Sequence, residues 1–321
     1  MRPRAGTLEI ICCTLAWGTI GSIVNRISLA SSVIVFFRLA FGFVVVLGWL
    51  TVRKRLGDLR LRARPVLLIA SGLVLGVHWA LLFAAYKRIG VDTTILIVFI
   101  GPVLWAVAAP FFLRERLRAT SLGALAVAFG GIALISIPKI GSVDGLGLAA
   151  AFGSAVLFAV LILMGKLLTE HYEPAAIVVW QLGVAAVLLS PALAGASVHQ
   201  IGRGLPLLLV LGMVHSGVLG IVFFHAVRAL PTQELGVLFY LEPASAVLYA
   251  WWWLSEKPTA LTLAGGALLA ANAWALLRPV VRPSSPGPGR APARSKVLIN
   301  MAIGLVVFVW GLASFITRAH H

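Results

Sequence analysis

Charge is scarce in this chain. Of 321 residues, 11% are charged and only ten are acidic. A soluble domain carries about 25% charged residues, so a water-facing surface over most of the chain is excluded. Cysteine is nearly absent. Cys12 and Cys13 are the only two, and neighbours on a helix point in different directions, which argues against a disulfide between them. There is no HExxH, no CxxC and no glycine-rich phosphate loop. Metal-dependent chemistry and nucleotide-driven pumping therefore have no motif to rest on. A membrane-embedded enzyme would need clustered acids, bases or metal ligands, and none stand out. No cofactor is expected.

What the chain has is apolar length. It is 60% hydrophobic, with a mean hydropathy of +1.02. Runs of about 20 apolar residues are long enough to cross a bilayer as helices. Ten such runs precede Pro283: 7–27, 32–52, 65–87, 93–113, 119–137, 146–167, 174–194, 205–227, 234–254 and 259–278. An eleventh lies at 297–317. The N-terminal run has the basic start of a signal peptide, but Glu9 interrupts it and no small-residue cleavage site stands out.

The pI near 11.3 does not indicate a nucleic-acid partner, because the cations sit in short loops between apolar runs. "RKRLGDLRLRAR" at Arg53–Arg64 is the densest. With the N-terminus inside, eighteen Lys and Arg fall on the cytoplasmic side and seven on the other. That bias is the positive-inside signal. It predicts a multi-pass protein of the cytoplasmic (inner) membrane with a cytoplasmic N-terminus.

The sequence also repeats. "GPVLWAVAAPFFLRERLRA" at Gly101–Ala119 parallels "EPASAVLYAWWWLSEKPTA" at Glu242–Ala260. An ungapped offset of 141 places Pro65 on Pro206, Gly76 on Gly217, Pro102 on Pro243 and Glu115 on Glu256. Each copy holds five helices. An odd number makes the second copy enter the membrane from the opposite side, giving an inverted repeat with a binding site near the midplane. The predicted fold is an all-α integral membrane protein of two inverted five-helix repeats, 1–140 and 141–282, then a Pro/Gly/Arg linker at 283–296 and an extra transmembrane helix within 297–321.

These residues resemble the drug/metabolite transporter superfamily, EamA type. The resemblance rests on Trp17-Gly18, Phe37-Arg38, Ala85-Tyr86-Lys87, Pro102, Glu115 and Gly130-Gly131 in the first half. In the second half it rests on His225-Ala226-Val227-Arg228-Ala229-Leu230-Pro231, Leu241-Glu242-Pro243, Ser255-Glu256 and Gly265-Gly266. It covers about residues 6–278. It implies ten helices and outward movement of small metabolites, often amino acids. The eleventh helix departs from that pattern and is a candidate for packing on the bundle or holding a partner helix.

Candidate site residues each have two readings. Glu115 and Glu256 are either interfacial ion pairs or caps, or gate latches. Pro102 and Pro243 are static kinks or hinges. Arg38 snorkels to the headgroups or makes a structural ion pair. His78, His215 and His225 are packing residues or polar cavity groups. Trp251–Trp253 read as an interfacial belt in contact with membrane lipid. Trp17, Trp79, Trp105 and Trp180 either pack the core or line an aromatic cavity with Tyr86, Tyr240 and Phe158, the repeat mate of Trp17.

Glu242 is the sharpest candidate. It lies about eight residues, or roughly 12 Å, into its helix. A charge there costs at least about 2.5–3.5 kcal/mol, so it should face a cavity and be paired or protonated. It either holds the kink before Pro243 or contacts the amine of a small-molecule substrate or a coupling proton, with His225 as partner. Its mate, Gly101, carries no such group. Three function classes follow: an exporter of small metabolites such as amino acids, a transporter of quaternary ammonium or other cationic drug-like solutes, and a non-transporting scaffold or receptor.

Overall fold

A computed structural model of the chain describes residues 3–137, 140–141, 144–194, 196–255 and 257–277. The eleventh apolar run, the 283–296 linker and Glu256 lie outside the described residues. Among the described residues every regular element is helical. In chain order they are α1 (Pro3–Trp17), α2 (Ile20–Val24), α3 (Ser31–Val52), α4 (Pro65–Ile89), α5 (Val91–Val98), α6 (Gly101–Phe112) and α7 (Ala119–Ser136). The second half holds α8 (Gly145–Leu168), α9 (Pro174–Leu189), α10 (Val198–Leu209), a π-helical stretch (Val210–Val218), α11 (Leu219–Ala229), α12 (Thr232–Phe239), α13 (Leu241–Leu254) and α14 (Ala260–Leu277). Eight helical segments are long and apolar enough to cross a membrane. The broken pair α12–α13 and the shorter α14 occupy the ninth and tenth predicted runs. Large apolar side chains point outward: Val52, Val66, Phe111 and Val187 are 82%, 79%, 81% and 75% exposed. Soluble proteins do not present such a surface, and lipid is its natural solvent.

Local chemistry sets the helix ends. Pro65 and Pro174 stand at the first turn of α4 and α9, where proline's missing N–H costs nothing. Gly90, at φ +77°, ends α4. Asp144 caps α8 by accepting from the Gly147 N–H at 2.7 Å. That bond, with Arg88 alongside, holds its carboxyl below the usual carboxylate range, against a smaller opposing effect of burial.

The 141-residue offset reappears in space. Helix α3 packs on α9, its own mate, and α7 packs on α14. The α4–α9 contact is matched by its mate, α3 on the π stretch. Most directly, the Tyr240 hydroxyl donates to the carbonyl of Phe99 at 2.6 Å, and Phe99 is the residue 141 positions earlier. A contact between mates is what a two-fold relation between the halves requires along its axis.

Pro102 and Pro243 do not bend continuous helices. Each sits in the first turn of a new helix: α5 ends before Pro102 and α12 before Pro243. Proline has no N–H to give the carbonyl four residues back, and its ring crowds that carbonyl. Those residues are Val98 and Phe239, where α5 and α12 end, so both breaks fall at the same repeat position. A third break, between α1 and α2 around Gly18, has no mate, because α8 runs unbroken.

Candidate functional site

The site is built where the breaks meet. Gly18 lets α13 approach α1: a Cβ there would land on Ser245 Oγ and 2.8 Å from the Ala246 nitrogen. Ser245 Oγ donates to the Glu242 carbonyl at 2.9 Å and to that of Thr14 at 3.3 Å. The first turn of α13, with Glu242, is thereby fixed against the end of α1.

The π stretch supplies the next wall. Its wider turn leaves backbone carbonyls without the usual partners. The Trp17 indole N–H donates to the carbonyl of His215 at 2.9 Å. His215 Nε2 lies 2.9 Å from Thr19 Oγ1, and the Ser216 hydroxyl turns back to Leu211 O at 3.2 Å. The corresponding stretch of α4 is regular α-helix.

Arg38 on α3 turns inward rather than snorkelling to the headgroups. Its Nε donates to Ser216 Oγ at 3.2 Å, and its guanidinium covers the face of Trp79 at 4.8 Å. Glu242 and Tyr86 both lie within electrostatic reach of it, although no direct ion pair joins Arg38 to Glu242. Arg38, Trp79, Tyr86 and Glu242 are all partly accessible inside an otherwise packed bundle. A cation, a carboxylate and two aromatic rings from both halves thus lie within reach of one another, the two charges not directly paired.

The other predicted residues lie elsewhere. Trp105 is 0% exposed, with its indole N–H on Thr232 O at 3.0 Å, and Tyr240 is 1% exposed. Both pack the seam between the halves. Phe158 joins them, stacked on His78 at 5.2 Å and edge-on to Trp105 at 5.3 Å; His78 is held by Ser154. Trp180 is at one end of the bundle, where its indole N–H anchors the Leu59 carbonyl at 3.1 Å. Its polar edge serves a loop, so it does not share the central pocket. His225 is level with Glu9 on α1, while Glu242 is level with Gly18, so His225 is not the partner of Glu242.

Glu115 ties the halves together at the end that carries the basic loops 53–64 and 113–118. Its Oε2 accepts from the Thr232 N–H at 2.9 Å and hydroxyl at 2.7 Å, capping α12 from the opposite repeat. Lys166 Nζ reaches its other oxygen at 4.0 Å and donates to Val227 O and Leu230 O. Gln233 bonds the Arg116 carbonyl, and Arg228 bonds the carbonyls of Thr169 and Tyr172. Replacing such a cap with alanine costs about 0.5–2 kcal/mol. Glu115→Ala is therefore expected to lower the melting temperature of the purified protein, whereas Glu115→Gln should retain part of the cap.

Arg38, Ser216 and Thr19 were not among the expected solute contacts. The one signal for Arg38 was its place in the Phe37-Arg38 pair. Ser216 and Thr19 had none, because a π stretch and an unmated helix break leave no mark in hydropathy.

Known proteins show similar chains. An uncharacterized transporter of Bacillus subtilis, YxxF, is 25% identical over 77% of this chain and 81% of its own length. A probable terminal-alkyne amino-acid exporter of Streptantibioticus cattleyicolor is 26% identical over 85% of this chain and 90% of its own. The pseudopaline exporter CntI of Pseudomonas aeruginosa is 27% identical over 86% and 96%. A crystal structure at 19% identity shares the fold, with a TM-score of 0.75 over 85% of this chain and 96% of that one. The sequence pattern of the EamA-like transporter family matches residues 4–137 and again 145–278, two copies that meet at Glu115 and Thr232. The chain belongs to the EamA-like transporter family, and is a multi-pass membrane transporter rather than an enzyme.

Proposed function

We propose that this transporter exports small zwitterionic metabolites, amino acids among them, across the cytoplasmic membrane by alternating access. One observation carries the reading: Arg38 and Glu242, of opposite charge and from opposite halves, are both partly accessible and lie within electrostatic reach of each other without pairing directly. A solute with a carboxylate and an amine fits between them, its apolar part against Tyr86. Relatives whose names denote export of an amino acid or pseudopaline support the direction. The cap at Glu115 and the breaks before Pro102 and Pro243 supply a latch and two hinges.

The Trp79 face is already covered by Arg38. A quaternary ammonium solute would have to displace that guanidinium, which favours the zwitterion over the cationic drug-like solute. The test is flux of labelled amino acids and quaternary amines in proteoliposomes. Amino-acid flux above empty vesicles is expected; flux of neither class would leave the scaffold reading.

The loop charges favour a cytoplasmic N-terminus and 283–296 linker, with the C-terminus outside if 297–317 crosses. A reporter fused after His321 is then expected to be active only outside the cytoplasm. Activity confined to the cytoplasm would remove the eleventh crossing.

A further inference from the structure

Among the described residues, three buried side-chain atoms lack a hydrogen-bond partner: Glu9 Oε2, Thr93 Oγ1 and His225 Nδ1. Two of them belong to titratable groups, and those two are on helices that pack against each other. Helices α1 and α11 run antiparallel. Gly6 abuts Ala229, Cys13 Sγ meets Leu219 O, and Trp17 meets His215 O. That register brings Glu9 level with His225. Glu9 shares the helical stripe of Gly6 and Cys13, and His225 that of Ala229, so each lies on the face turned to the other helix.

We propose that Glu9 and His225 form a proton-transfer pair between the central pocket and the basic-loop end. The pair is separate from the Arg38–Glu242 pocket, and depends on the transport reading only for what the proton drives. A buried polar atom left unsatisfied is costly, and ionisable groups within membrane helices are concentrated in ion and proton pathways. Glu9 is six residues into α1, about 9 Å. Gly18, level with Glu242, is nine residues further, about 13 Å, so the pair sits below the central pocket.

The neighbouring charged and titratable groups are otherwise engaged or displaced along the helices. Lys166 is bound to Glu115 and two carbonyls, Arg228 to Glu173 and two carbonyls, and Glu234 to Arg118. Cys13 donates to Leu219 O, while His215 and Glu242 belong to the central pocket. Helix α9 contributes no titratable side chain. In the proposed step one proton enters from the basic-loop end onto His225 Nδ1, giving an imidazolium. It then passes to the Glu9 carboxylate, through one water or a side-chain rotation, giving a carboxylic acid and a neutral imidazole. The pair gains one proton in all, which leaves on the other side of the cycle.

The test uses the full chain in liposomes loaded with the pH dye pyranine, with a pH gradient imposed under a potassium–valinomycin clamp. The wild type is expected to collapse the gradient faster than protein-free liposomes. Glu9→Gln and His225→Asn, reconstituted to the same density and monodisperse before reconstitution, are expected to fall to the protein-free rate. Glu9→Asp, which keeps the carboxylate, should retain dissipation. The proposal is overturned if both variants match the wild type, or if the wild type is no faster than protein-free liposomes. A wild type that dissipates the gradient through this pair yet moves no labelled amino acid would support the pair and count against the proposed solute. Amino-acid flux with no pH-gradient dependence would do the reverse.

Discussion

Glu242→Gln is expected to reduce solute flux by about ten- to a hundredfold while leaving the protein folded. The substitution keeps the side chain's size and removes its charge. A hydrogen bond to a charged group contributes about 1.5–3 kcal/mol, and each 1.4 kcal/mol is a factor of ten. Arg38→Gln should produce a loss of similar size, because the proposed solute needs both ends held. The two losses should not add in the double variant, since groups that grip one solute act together. Glu170→Gln, on the exposed turn after α8, is the matching control and should transport normally. Wild-type flux and unchanged pH dependence in a folded Glu242→Gln protein would reduce Glu242 to a residue that holds the start of α13.

Gly18→Ala has the second large expected effect, through packing rather than charge. The new methyl would fall on Ser245 Oγ and within 2.8 Å of the Ala246 nitrogen and 3.0 Å of the Glu242 carbonyl. Two of those three atoms are backbone and cannot rotate away. Overpacking of this kind costs about 1–3 kcal/mol, seen as a lower melting temperature. Flux should fall further than stability, because the movement separates Trp17 and Thr19 on one side of the pocket from Glu242 on the other. Ser245→Ala in the same protein removes the hydroxyl conflict but not the backbone one, so partial recovery is expected. A Gly18→Ala protein that melts and transports like the wild type would show that α1 and α13 are not held this closely.

Much of this architecture could be read from hydropathy and from the 141-residue offset. Lipid selects for long apolar helices, and the coincident prolines mark breaks that fall in the same place in both halves. Glu242 stood out because a carboxylate deep in an apolar run has few tolerable environments. Arg38 did not, because a long side chain near a membrane surface can reach either water or the core, and only the position of Ser216 decides between them. Trp180 and Trp105 misled for a related reason. An indole carries one donor, and whether it faces a pocket or bonds a backbone carbonyl depends on residues 121 and 127 positions away. The π stretch was invisible in the sequence because it changes the hydrogen-bond ladder without changing the apolar pattern.

The unmated π stretch bears on how the protein idles. Two interchangeable halves would give inward-open and outward-open forms of equal free energy, each populated half the time. Here only the second half has the wider turn, with the His215 and Ser216 contacts that depend on it, and those contacts must be kept or broken at each exchange. The two forms are then unequal, and a difference of only 1.4 kcal/mol leaves one of them at about a tenth of the other. A solute binding to the rarer form has its apparent affinity weakened by that fraction. The transporter would therefore show a tighter apparent affinity for solute on one face than on the other, an asymmetry set by backbone geometry, while the direction of net flux stays with the gradients.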